Sequence, residues 1–263
     1  MLPNTAMVFA AHPDDAEYFA GGTLAMLRSQ GWQIHIVTVT DGRVGTLETP
    51  GQALADERRE EAKKAAKTLG AEEPIFLKHH DFELESLAPG VLRGEFVRLI
   101  RKLRPMAVFA HDPLNTIEAH PDHRAVAQAA LEAVTFSQLP GVCPEQIAEG
   151  LVPHWTPEKY FFSDRPELAN KAVDITNWFE VKVTAMIQHH SQVAFLVEDL
   201  LLQAHIAGVP PAALPQPEQY QDMFINGLRD LAAGFGKPHG MALAEVFRYQ
   251  RFHPLVEDLI TQG

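Results

Sequence analysis

Apolar and polar positions along the chain follow two alternating periods. Short runs rich in β-branched and aromatic residues, at 7–10, 34–40 (IHIVTVT), 74–77, 106–110 (MAVFA) and 159–162, read as buried strands. Between them, apolar residues recur at three- and four-residue spacing over 16–30, 54–69, 92–103 and 120–136, which predicts helices. Gly31 and Gly70 stop the first two helices, Pro105 stops the third, and Pro121 falls in the first turn of the fourth, where proline is tolerated.

Strand and helix alternate through about the first 165 residues. That order predicts a Rossmann-like α/β fold: a mainly parallel sheet with helices on both faces, in a single domain. Beyond it the pattern is less regular, with a helix predicted over 178–192, a proline-bearing loop or lid over 207–217 and a helix over 222–233. The expected organisation is one domain over 1–263, with a core at about 5–192 and a C-terminal helical and loop extension at about 193–263.

Composition narrows the function. A formal charge of −12 argues against nucleic acid as a partner, because such proteins need a basic surface. Cys143 is the only cysteine, so an intrachain disulfide and a cysteine-rich zinc site are both excluded. Any metal must then be held by histidine and carboxylate. The first residues carry no basic stretch followed by a long apolar run, and no apolar stretch approaches the length of a membrane span. A cytoplasmic protein with no membrane partner is therefore expected.

The chemically suggestive residues share one edge. His12, Asp14 and Asp15 follow the first predicted strand and Asp41 the second. His79, His80 and Asp81 follow the third, and His111, Asp112, His120, Asp122 and His123 the fourth. In an open parallel sheet, ligands gather beyond these carboxyl ends. Two segments stand out, HPDD at 12–15 and HPDH at 120–123. An aspartate after a strand can simply cap a helix, but two such motifs at one edge point to a metal. Three ligands drawn from them would leave zinc the open position that hydrolysis requires. A remaining carboxylate can take a proton from the attacking water. A remaining histidine can stabilise an oxyanion or protonate a leaving amine.

These segments, with AHPDDAEYFAGGTLA (11–25), VTVTDGRVGT (37–46), RREEAKKAAKTLG (58–70), HHSQ (189–192) and AEVF (244–247), resemble the LmbE-like, PIG-L-type N-acetylglucosamine deacetylases. The resemblance spans about 7–250 and implies a zinc-dependent hydrolase that removes the acetyl group from an N-acetylated amino sugar. It implies His12, Asp15 and His123 as zinc ligands, Asp14 as general base, and His120 as oxyanion stabiliser or acid. Asp122 would fix a histidine tautomer, and Arg58 and Asp81 would contact the sugar. His253, near the C-terminus, is a candidate for the pocket of a neighbouring subunit, since relatives form trimers or hexamers. Ala16 stands where many relatives carry glutamate, with Glu17 next. EAHPDHRA, AVTFSQLP and VDIT are similar to the diacetylchitobiose deacetylase branch. Rival readings are deacetylation of a GlcNAc-malate or GlcNAc-inositol thiol precursor, a non-catalytic carbohydrate-binding relative, and a nucleotide-binding Rossmann domain, the last weakened by the missing glycine fingerprint.

Four further features read as structural. His79 and His80 are expected to face solvent or stand behind the site, and HHSQ to support it. Glu60-Glu61 reads as a solvated helix face, and Gly21-Gly22 as a place of tight helix packing.

Overall fold

The computed structural model describes residues 4–48, 50–163 and 165–261. Five strands, β1 (Thr5–Ala10), β2 (Gln33–Thr40), β3 (Ile75–His79), β4 (Ala107–His111) and β5 (Glu158–Phe162), form the parallel part of the sheet. Parallel neighbours need long crossovers. Helices α1 (Asp15–Ser29), α2 (Gln52–Leu69), α3 (Val91–Leu103) and α4 (Pro121–Phe136) supply them, followed by the short α5 (Pro144–Ala148). On β1, Ala6, Val8 and Ala10 face one buried cluster, with α1 and residues of α2. Met7 and Phe9 face the other, with α3 and α4. Both faces are covered, which is why the strands read as continuous apolar runs.

Two further strands went unread in the sequence. β6 (Lys171–Asp174) and β7 (Ala244–Gln250) complete a sheet of order β3-β2-β1-β4-β5-β7-β6, with β7 antiparallel to both neighbours. The C-terminal segment is thus more than helices and loops: its strand is inserted between β5 and β6. β6 is four residues long and half-exposed, too brief to show a period.

The helix predicted over 178–192 is two, α6 (Phe179–Met186) and α7 (His190–Ile206). His189 leaves helical backbone at φ −84°, ψ 61°. The carboxylate of Glu61 accepts the Ser191 N–H at 2.9 Å and its hydroxyl at 2.7 Å, so α2 caps α7 from outside. Glu61 is therefore buried and not part of a solvated face, whereas Glu60 pairs with Lys63 in solvent. The segment 207–217 holds one short 3-10 turn, Pro211–Ala213, and a second, Pro217–Gln219, begins at its end. Beyond them come α8 (Tyr220–Gly236) and α9 (Pro254–Thr261).

A buried ion pair fastens β7 to the helical layer. Glu245 accepts the backbone N–H groups of Gly22 and Thr23 at 2.9 and 2.8 Å and Lys182 Nζ at 2.7 Å. Gly22 also lets Ile175, just beyond β6, pack against α1, since a Cβ there would lie 2.7 Å from the Ile175 side chain. Removing one partner strands the other charge away from water. Glu245→Ala is expected to lower stability by about 3–5 kcal/mol in denaturant unfolding.

Candidate metal centre

The sheet order reverses at β1, whose neighbours are β2 and β4, and loops leaving adjacent strands there diverge and open a crevice. HPDD leaves β1 into that crevice. The segment after β4 returns to it at the start of α4, where His120 is the N-cap and its Nδ1 accepts the Asp122 N–H at 3.2 Å. Two motifs more than a hundred residues apart are thereby brought side by side.

His12 Nδ1 lies 3.1 Å from His123 Nε2. The Asp15 carboxylate comes within 3.7 Å of His12 Nδ1 through Oδ2 and 3.5 Å of His123 Nε2 through Oδ1. Donors bound to one tetrahedral zinc at about 2.0–2.2 Å stand about 3.3–3.6 Å apart, so the three groups fit such an ion. His12, His120 and His123 form one group able to hold a metal; Asp15, His111 and His123 form another. All six residues of the two motifs apart from the prolines, namely His12, Asp14, Asp15, His120, Asp122 and His123, are gathered within this region, and all but Asp122 line one cavity of about 490 Å³.

Each donor has a partner behind it. His12 Nε2 is 3.1 Å from Asp81 Oδ1 and 3.6 Å from Asp122 Oδ2. His123 Nδ1 is 3.3 Å from Glu118 Oε2, and His111 Nε2 is 3.0 Å from Asp15 Oδ2. A carboxylate on the far nitrogen of a ligating histidine fixes the ring and raises its basicity. Glu118 was not singled out in the sequence, and His111 was noted there without a role. The one local signal was an acid two residues before His120, which no general spacing rule marks.

The charges follow from this crowding. Burial opposes the charge of His12 and His123, but the surrounding carboxylates raise His12 well above its usual value and carry His123 up to about 9. Burial works likewise against Asp81 and Glu118, which His12 and His123 nevertheless hold down at about 2. Burial and the neighbouring His12 and His123 push His120 down to about 4, so it is neutral. Its Nδ1 accepts a hydrogen bond, which leaves the ring hydrogen on Nε2. Burial raises Asp14 to about 6 against the pull of Arg58. Its backbone is also strained, at φ 138° and ψ −25°, which costs a non-glycine residue about 1–3 kcal/mol.

Arg58 reaches from α2 to Gly42 O at 2.7 Å, Pro13 O at 2.9 Å and Asp14 Oδ1 at 3.2 Å. It lines the cavity, yet it spends these bonds on the protein, tying the loop after β2 to HPDD. Gly42 must be glycine, because its φ is 68° and a Cβ would sit 2.5 Å from the guanidinium. Asp81, expected at the sugar, also lines the cavity but is buried, with Oδ2 on the Val44 N–H at 3.0 Å and Oδ1 toward His12. Asp122 is fully buried and accepts the N–H groups of Phe82 and Leu84 at 2.7 and 3.1 Å. It anchors the loop after β3 and stands farther from His12 than Asp81 does. His253 is exposed and does not line this chain's cavity; its Nδ1 accepts the Leu255 N–H at the start of α9.

His79 meets Glu95 at 2.8 Å and His80 meets Asp41 at 2.9 Å. In HHSQ, His189 is fully buried 3.4 Å from Glu17, and Gln192 Nε2 donates to Gly45 O at 3.0 Å. Trp155 stacks on Phe252 and does not line the cavity. Among these residues, Asp81 gives a direct test. Asp81→Asn is expected to weaken binding of a divalent metal about 10–100-fold, measured by competition with a chelator, with the fold retained.

The fold and site define a class: an α/β domain whose histidine and carboxylate centre lies at the carboxyl edge of a mainly parallel sheet. Residues 7–134 match the PIG-L family, described as GlcNAc-PI de-N-acetylase. The chain is 33% identical over 241 residues to the diacetylchitobiose deacetylase of Thermococcus kodakarensis, covering 90% of this chain and 80% of the relative. It is similar to the structure of N,N'-diacetylchitobiose deacetylase from Pyrococcus horikoshii, with a TM-score of 0.77 and 29% identity over 94% of this chain and 84% of the other. It is 27% identical to a probable N-acetyl-alpha-D-glucosaminyl L-malate deacetylase of Bacillus cereus, over 73% of this chain and 86% of that protein. The chain belongs to the PIG-L de-N-acetylase family.

Proposed function

We propose that the protein is a zinc-dependent hydrolase that removes the N-acetyl group from an N-acetylglucosamine-containing sugar of the chitobiose type, leaving acetate and a free amine. The observation that carries this reading is the convergence of His12, Asp15 and His123 to within 3.1–3.7 Å at the floor of a cavity that Asp14 and His120 also line. Its support from likeness is the set of N-acetyl-sugar deacetylases among the relatives.

His12, Asp15 and His123 would hold the zinc, which when bound acidifies a water and polarises the acetyl carbonyl. Asp14 takes the proton of the attacking water, and its raised value of about 6 suits it to return that proton near neutral pH. Arg58 fixes the Asp14 carboxylate through Oδ1. His120, neutral with its hydrogen on Nε2, donates to the developing oxyanion. Asp14, carrying the proton it took from the water, then passes it to the leaving amine, while His120, held neutral, has no spare proton to give. Asp81, Glu118 and Asp122 keep the rings and the neighbouring loop in place.

The proposal includes one functional domain over 1–263, a cytoplasmic location, and a homo-oligomer, trimer or hexamer, in which His253 enters a neighbouring cavity. Among the described residues no helix is long and apolar enough to cross a membrane. The test is acetate release by zinc-loaded protein from N-acetylglucosamine, its β-linked disaccharide, and the malate and inositol glycosides. Release from the disaccharide is expected. Acetate from the malate or inositol glycoside alone would move the assignment to the thiol-precursor reading, and none from any would overturn it.

A further inference from the structure

Phe82 is the feature of the cavity that neither folding nor metal binding accounts for. It follows β3 directly after Asp81, lines the cavity, and is 54% exposed although it is a phenylalanine. Its backbone lies at φ 70°, a region that disfavours every residue with a Cβ and favours glycine. Exposure gives the fold little hydrophobic return for keeping an aromatic residue there. The conformation is held from outside, because the fully buried Asp122 accepts the Phe82 N–H at 2.7 Å and the Leu84 N–H at 3.1 Å. The ring meets His120 edge-on, with centroids 5.2 Å apart at 70°. A strained backbone and an outward aromatic side chain, pinned beside a reacting group, mark a residue shaped for a ligand.

The rest of the wall indicates which ligand. Val44, from the loop after β2, and Phe195 and Leu196, from α7, line the same cavity. The guanidinium among its lining residues is that of Arg58, which already binds Gly42 O, Pro13 O and Asp14. An anionic group on the substrate would meet apolar side chains and Asp81, because Arg58 is itself buried, with both terminal nitrogens bonded to the protein and only its buried Nε unpartnered, and no lysine lines the cavity. The C–H face of a sugar ring, by contrast, packs well on an aromatic ring already fixed in place, since little side-chain freedom remains to be lost.

We propose that Phe82 is the aromatic platform for the substrate, and that with Val44, Phe195 and Leu196 it selects amino sugars whose attached group is uncharged and presents an apolar face. This rests on the deacetylase reading above and names the specificity of the same site. Asp122 acts as the positioning residue that holds the platform out.

The experiment compares the parent with Phe82→Ala, Phe82→Gly and Phe82→Trp, using the β-linked N-acetylglucosamine disaccharide. For the alanine and glycine variants KM is expected to rise about tenfold or more with kcat held within about threefold. Phe82→Trp should recover most of the lost affinity. Zinc content should match the parent in all three, and Phe82→Gly should melt no lower, since glycine relieves the strained backbone. An unchanged KM in the alanine and glycine variants overturns the platform. So does a fall in kcat together with zinc content, which would make Phe82 a prop for the metal centre. Calorimetric binding of the disaccharide runs alongside. If the parent hydrolyses nothing, the deacetylase reading fails, while weaker binding by Phe82→Ala still supports the platform and equal binding still refutes it.

Discussion

Asp14→Asn is expected to keep its zinc and lose turnover by roughly 10³-fold, within the range general-base removal produces. Asparagine is the informative replacement. It matches the shape of aspartate and tolerates positive φ better than most residues, so the strained backbone at φ 138° is disturbed little. The amide can still accept from Arg58, which lies 3.2 Å from Oδ1 in the parent. What it cannot do is carry a proton from water to the amine. The three donors His12, Asp15 and His123 remain, so metal analysis should give the parent's zinc content while single-turnover acetate release collapses. A variant that turns over normally would remove Asp14 from the reaction. A variant that loses zinc would make it a ligand.

His123→Ala should fail in the opposite way. His123 Nε2 lies 3.1 Å from His12 Nδ1 and 3.5 Å from Asp15 Oδ1, at the middle of the donor set. Its loss leaves two donors and deprives Glu118 of its partner at 3.3 Å. Since displacing a group behind a ligand already weakens metal binding about 10–100-fold, removing the ligand itself should exceed about 100-fold, with activity lost in step. Ligand binding to the folded state raises stability in proportion to RT ln(1 + [L]/Kd). Zinc should therefore raise the melting temperature of the parent markedly and that of His123→Ala little. The chelated parent should melt near the variant. Equal zinc affinity in parent and variant would overturn the ligand set. Measured together, the two substitutions separate a residue that moves a proton from one that holds the ion.

Much of this was legible before folding. The period-two and period-3.6 patterns gave β1 to β5 and α1 to α4 with ends displaced by a few residues, and the two histidine–aspartate motifs lay at the expected edge. Both signals are local: a strand or helix period is a property of residues two to four apart, and His12 and Asp15, or His120 and His123, share a turn. Their positions after β1 and β4 follow from strand order alone.

The assembled sheet decided what local periods do not encode. β7 reaches its place between β5 and β6 from more than eighty residues beyond β5, and its Glu245 meets Gly22 across 223 positions. α6 and α7 part where Glu61, 130 residues earlier, caps Ser191. Asp81 turns to His12, Arg58 to Gly42 and Pro13, and Asp122 to Phe82 because burial leaves each charge no water to bind and so makes it seek the nearest polar partner. The sequence thus determined the five parallel strands, the four crossover helices between them and the residues proposed to carry the chemistry. Only packing placed β6 and β7, parted α6 from α7 and chose the partner of each buried polar group, since those partners become neighbours when the strands align.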